Sequence, residues 1–220
     1  MKTILCYGDS NTWGFDFRGG RFPREERWPN VMQRELGEKF DVVEEGLNGR
    51  TAGQDDPDDD CPEAKNGRRF LIPCLRSHFP LDLIILMLGT NDLKVRFFTT
   101  VEKVAEDVGA LAGTARAELG AMQGYEPEIL IVAPTPIGDT IEDSPFGEAF
   151  GGRRAIRPSV ELADALRRTA RRDSCHFLNA GEITEPNPVD AVHFTREGHR
   201  LFGTQAARKV KEIFARDSLG

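Results

Sequence analysis

Five short apolar runs punctuate the chain, at residues 3–7, 40–45, 83–88, 129–133 and, more weakly, 176–178. Runs of this length, bounded by polar or turn-forming residues, predict strands. Elsewhere apolar positions recur every three or four residues. Trp28, Val31, Met32 and Leu36 share one face, and Val101, Val104, Ala105, Val108, Leu111 and Ala115 share another. Residues 159–170 and 195–215 repeat the pattern, the latter with Leu201, Ala206, Val210 and Phe214. Helices are predicted at all four places. Thr195 ahead of Glu197-Gly198 reads as a helix start, and Ser159 follows Pro158.

Strands alternating with helices predict parallel strands joined by crossover helices. The run Leu83-Ile84-Ile85-Leu86-Met87-Leu88 is apolar on both faces, as a central strand covered on both sides requires. The expected fold class is α/β: a three-layer α/β/α sandwich around a five-stranded parallel sheet, flavodoxin-like in layout. No internal repeat or long linker divides the 220 residues, so a single domain over 1–220 is expected. Two stretches break the pattern. Residues 55–66 are acidic and proline-broken, and residues 134–157 are rich in proline and glycine. Long irregular segments in a compact domain are often functional, as pocket walls, lids or subunit contacts.

Composition narrows the partners. Apolar residues make up 39% and charged residues 30% of the chain, as in soluble globular proteins. No apolar run approaches the ~18 residues of a membrane span, and Ile4–Tyr7 is too short for a signal-peptide core. A cytoplasmic protein with no membrane partner is expected. The net charge of −7 lacks the basic footprint of a nucleic-acid binder. Cys6 and Cys175 read as small buried hydrophobes, whereas Cys61 and Cys74 lie in a polar region where they are able to pair. No Cys-x-x-Cys spacing points to zinc, and the acidic run 55–60 lacks a regular calcium-ligand pattern and reads as a solvated loop. Neither metal nor cofactor is expected. Phe97-Phe98, Phe146 and Phe150 are apolar loop residues that point to a pocket lining or a homo-oligomer contact.

The chemistry begins at Ser10, in Gly8-Asp9-Ser10-Asn11-Thr12-Trp13-Gly14, directly after the first strand-like run. A hydroxyl there sits at the carboxyl edge of a parallel sheet, where ligands of such sheets bind. A serine is a weak nucleophile without an adjacent base, and Ser or Asp at this place also simply caps a helix. Gly-x-Ser-x-Gly is absent because Thr12 fills the last position, so this is not the nucleophile elbow of an α/β-hydrolase. Four histidines compete as base. His78 reads as a loop residue, His176 as structural and His199 as part of a solvated helix face. His193 has a carboxylate three residues earlier, Asp190, close enough to hold one ring nitrogen while the other faces the serine. Acyl transfer also needs donors for the developing oxyanion. Asn91, in Gly89-Thr90-Asn91-Asp92 after the most apolar run, offers an amide. Gly49, in Gly46-Leu47-Asn48-Gly49-Arg50-Thr51, offers an unobstructed backbone N–H. Trp13 is a candidate wall of the substrate pocket.

These four blocks, in this order and across nearly the whole chain, resemble the SGNH hydrolase superfamily, also called GDSL-type esterases. The segments Cys6 to Gly14, Glu44 to Thr51 and Pro80 to Asp92 are similar to its arylesterase/acyltransferase and carbohydrate-esterase subgroup. The resemblance implies an SGNH hydrolase fold and a serine esterase acting on small acyl esters of aryl, alkyl or sugar alcohols. It implies Ser10 as nucleophile, His193 as base and Asp190 as orienting acid. The implied oxyanion donors are the backbone N–H of Ser10 and of Gly49 and the side chain of Asn91. It requires no metal and allows acyl transfer to an alcohol. Asn11 departs from the leucine of the family's name motif, at a position without an assigned chemical role. Two other readings stay open on the residues alone: a flavodoxin-like module holding phosphate or flavin in the loop from Ser10 to Trp13, and a non-catalytic, ligand-binding relative.

Overall fold

A computed structural model of the chain describes residues 1–216. Five parallel strands form one sheet: β1 (Lys2–Gly8), β2 (Phe40–Gly46), β3 (Leu83–Met87), β4 (Glu128–Ala133) and β5 (His176–Asn179), in the spatial order β2-β1-β3-β4-β5. All five were expected, and the three-layer α/β/α arrangement holds. Register aligns the strand ends: Gly8 faces Gly46 on one side and Met87 on the other. Chain order reverses between β1 and β3, so the crevice beyond their carboxyl ends is the sheet's switch point, where open α/β sheets bind ligands.

Alternation along the central strands sends side chains into two cores. Leu5, Tyr7, Ile84 and Leu86 pack under α3 (Gly67–His78), α4 (Val101–Gln123) and α6 (Ile156–Arg172), against Leu71, Leu75, Val108, Leu111, Leu162 and Leu166. Ile4, Cys6, Ile85 and Met87 face α2 (Trp28–Leu36) and α7 (Arg196–Arg216), against Trp28, Met32, Phe202, Ala206 and Val210. Two one-turn helices complete the chain: α1 (Ser10–Trp13) and α5 (Gly147–Phe150). Among the described residues no helix is long and apolar enough to cross a membrane.

Helix α3 was not anticipated. Arg68, Arg69, Arg76 and Ser77 together with Pro73 obscure its period, and only Gly67, Leu71 and Leu75 are fully buried. Helix α6 begins at Ile156, three residues before the expected start. Pro158 sits in its first turn, where a missing N–H leaves no bond unmade. The acidic run is largely exposed, as expected of a solvated loop, but three of its carboxylates are paired. Asp55 is paired with Arg69, Asp59 with Lys65, and the buried Asp56 with Arg96. All four cysteines are unpaired, so Cys61 and Cys74 form no disulfide.

Candidate active site

Ser10 opens α1 immediately beyond β1 and is buried. Asp9 caps the helix, its carboxylate accepting the Asn11 N–H at 2.9 Å. The turn is tight because residue 8 is glycine. A Cβ there would collide with the Thr12 hydroxyl and come within 2.9 Å of the Met87 carbonyl oxygen.

The loop before α7 brings the imidazole to this serine. His193 Nε2 lies 2.8 Å from Ser10 Oγ, and His193 Nδ1 lies 3.0 Å from Asp190 Oδ2. The other carboxylate oxygen, Oδ1, accepts the backbone N–H groups of Val192 and His193, each at 2.9 Å. The three-residue spacing therefore does two things: one oxygen winds the turn and the other holds the ring. The turn has a cost, since Ala191 adopts φ 64°, a left-handed conformation that non-glycine residues avoid. The Ala191 N–H donates to Asn187 O at 2.7 Å and Gly138 N–H donates to Ala191 O at 2.8 Å, fixing the strained peptide from both sides. Burial pushes the Asp190 carboxyl up, but the His193 hydrogen bond, the imidazole charge and the two backbone donors outweigh it, and the net shift is downward. An ionised Asp190 accepts from Nδ1–H, which leaves Nε2 as the acceptor for the Ser10 hydroxyl.

Gly49 and Asn91 share the Ser10 cavity. Gly49 turns with φ 79°, and neither its N–H nor that of Ser10 donates a hydrogen bond among the described residues. Asn91, at the start of a 3-10 turn after β3, donates from Nδ2 to the Arg50 carbonyl at 3.1 Å and points a longer contact of 3.5 Å at Asp9. Asp92 then ties this turn to the Gly49 loop, both carboxylate oxygens lying 3.0 Å from the Ala52 N–H. Burial raises Asp92 to about 7 and Asp9 to about 6. Ser10, Gly49, Asn91 and His193 line one cavity of about 100 Å³, closed by Phe15, Asn48, Lys94, Phe146, Phe150 and Val192.

A sequence profile of the GDSL-like lipase/acylhydrolase family matches residues 6–201. The chain belongs to that family. It is accordingly a carboxylic ester hydrolase. Three solved structures show the same architecture over essentially their full lengths. Est24, a carbohydrate acetylesterase from Sinorhizobium meliloti, is 34% identical, with a TM-score of 0.88 over 97% of this chain and 100% of its own. A carbohydrate acetylesterase family member from the same organism is 38% identical, with a TM-score of 0.90 over 98% and 100%. The aryl esterase of M. smegmatis is 36% identical, with a TM-score of 0.87 over 96% and 99%. No curated protein matches the chain.

The site of this GDSL hydrolase contains residues that sequence reasoning passed over. Asn11 is one. Its Oδ1 accepts the Phe194 N–H at 2.7 Å and its Nδ2 donates to the Val192 carbonyl at 3.4 Å. Phe15 is another, its ring 4.3 Å from the His193 ring between centroids. Phe146, expected as a pocket lining or a subunit contact, lies 5.2 Å from the same ring. Trp13 does not line the cavity. Gly14, with φ 88°, swings the chain so that Phe15 faces His193, while the Trp13 ring lies 4.9 Å beneath the Arg21 guanidinium. His199 is fully buried rather than solvated. Its Nδ1 accepts the Trp28 N–H at 3.3 Å, and burial drives its pKa down to about 3. His78 ends α3, pairing with Glu45 at 2.9 Å, and His176 pairs with Glu128.

Glu45, Cys74 and His78 place oxygen, sulfur and nitrogen donors within 4.8 Å of one another, in a cleft that none of the catalytic candidates lines. Burial and the neighbouring Glu45 carboxylate push the Cys74 thiol up to about 12, which opposes the thiolate a metal would need. Flavin is a poor fit to the Ser10 cavity, because about 100 Å³ is well below the ~300 Å³ at which cofactor-sized pockets begin.

Proposed function

We propose that the protein is a serine esterase for small acyl esters, working through an acyl-enzyme on Ser10. The reading is supported above all by the continuous relay Ser10 Oγ–His193 Nε2 at 2.8 Å and His193 Nδ1–Asp190 Oδ2 at 3.0 Å. His193 takes the hydroxyl proton as Ser10 attacks the ester carbonyl, and Asp190 orients the ring and balances the imidazolium. The oxyanion is received by the unoccupied N–H groups of Ser10 and Gly49 and by the Asn91 amide. Protonated His193 passes its proton to the departing alkoxide, and a water activated by the same ring releases the acid.

The small cavity and its aromatic walls favour acetyl or short-chain acyl groups. Aryl, alkyl and sugar alcohols are the leaving groups we propose, in keeping with neighbours named as carbohydrate acetylesterase and aryl esterase. Phe15 and Phe146 against His193 limit water at the acyl-enzyme, which favours transfer to a second alcohol as a side reaction. We place the enzyme in the cytoplasm as a single domain. A reducing compartment keeps cysteines unpaired, as all four are here.

The test is turnover of 4-nitrophenyl acetate and labelling by a fluorophosphonate probe. Wild-type protein gives both, and Ser10→Ala gives neither. Turnover that survives Ser10→Ala removes Ser10 from the mechanism.

A further inference from the structure

Lys94 is the only lysine or arginine lining the cavity over Ser10. It follows the 3-10 turn that carries Asn91, with its backbone N–H donating to the Asn91 carbonyl at 3.2 Å. Its ammonium lies 5.8 Å from the centroid of the Phe150 ring, another wall of the same cavity. The neighbouring cations are committed elsewhere: Lys65 to Asp59 at 2.5 Å and Arg96 to Asp56 at 2.7 Å. Lys94 has no carboxylate within 4.0 Å and no side-chain hydrogen bond among the described residues.

An ammonium withdrawn from water and left unpaired is costly. Burial, with Arg96 and Lys65 adding to it, lowers the Lys94 pKa to about 8 against the opposing pull of Asp56 and Asp9. The group is therefore still largely charged near neutrality. The cation cannot be ascribed to a generally basic surface, because the chain carries a net charge of −7. A negatively charged group entering beside Ser10 would supply the partner this ammonium lacks. We infer that Lys94 is a recognition site for a carboxylate carried by the ester substrate. The inference rests on the reading that esters are cleaved at Ser10, and it narrows that reading to anionic esters.

Two near-isosteric substrate pairs test it, each a carboxylate against its neutral carboxamide. 3-Acetoxybenzoate against 3-acetoxybenzamide places the charge on the alcohol. Mono-4-nitrophenyl succinate against 4-nitrophenyl succinamate places it on the acyl group. At pH 7 the anion is expected to be preferred in at least one pair by about tenfold or more in kcat/KM, mainly through KM. That ratio shrinks as sodium chloride is raised, collapses toward one in Lys94→Met and persists in Lys94→Arg. The wild-type ratio and its salt dependence stand even where a variant fails to fold. Ratios at or below one in both pairs, or a preference unchanged in Lys94→Met, overturn the inference while neutral-ester turnover still upholds Ser10. Failure to cleave even the neutral esters removes the Ser10 reading and this one with it.

Discussion

The side-chain amide of Asn11 holds the two peptide groups that flank His193. It accepts from the Phe194 N–H at 2.7 Å and donates to the Val192 carbonyl at 3.4 Å. The residue beside the nucleophile thus grips the loop that presents the base and helps to set the distance from Ser10 to His193. Buried donors and acceptors left unsatisfied cost about 1–3 kcal/mol each. Asn11→Ala is expected to lower kcat about 10–100-fold with KM nearly unchanged, since the relay loosens while the cavity walls remain. Steady-state kinetics check the split, with circular dichroism confirming the fold. An equal loss in a substrate-binding titration would point to collapse of the cavity instead.

Asp190 uses both oxygens, so its amide cannot replace it. In Asp190→Asn the carbonyl oxygen stays with the Val192 and His193 N–H groups, which turns the NH₂ toward His193 Nδ1. The imidazole must then carry its proton on Nε2, where it can no longer accept from Ser10. The expected loss in kcat is about 10³–10⁴-fold, the scale seen when a triad acid becomes an amide. Near-wild-type rates would show that Asp190 acts only on the loop.

Phe146 packs against His193 and closes the cavity over Ser10. Phe146→Ala opens space for longer acyl chains, and a single methylene in an apolar pocket is worth about 1–3 kcal/mol. The ratio of 4-nitrophenyl butyrate to 4-nitrophenyl acetate in kcat/KM is expected to rise about tenfold or more. An unchanged chain-length profile would place the acyl group elsewhere.

Two buried carboxyls, Asp9 and Asp92, lower stability as pH rises. Burial raises Asp9 to about 6 and Asp92 to about 7, so from about pH 4 to pH 7 these two groups hold more protons in the folded chain than in the unfolded one. His199, held neutral with a pKa near 3, acts oppositely below about pH 6.5, so the readout is a difference between proteins. Wild type is expected to lose on the order of 2 kcal/mol more than Asp92→Asn between pH 5 and pH 8. Urea denaturation at the two pH values measures it, and parallel losses would show that Asp92 titrates normally.

Much of the frame is legible in the chain alone. A strand such as Leu83–Met87, apolar at every position, has to be buried on both faces whatever surrounds it, and four of the longer helices show their period directly. The same locality makes Asp190 and His193 readable, because a carboxylate reaches an imidazole three residues on within one turn. Helix α3 escaped because charges and Pro73 occupy most of its turns, and only packing under Leu5 and Tyr7 selects its face.

The cavity itself was decided in three dimensions. Trp13 was the wall expected from sequence, and the left-handed Gly14 that follows it turns Phe15 to the cavity instead. Asn11 had no visible role because its partners, Val192 and Phe194, lie at the far end of the chain. Lys94 drew no reading from the sequence, because Phe150, which the fold brings beside it, lies on a distant loop. Periodicity and turn chemistry report on neighbours along the backbone. The walls of this site and the partners of its buried polar groups come from segments that meet only when the sheet aligns their ends.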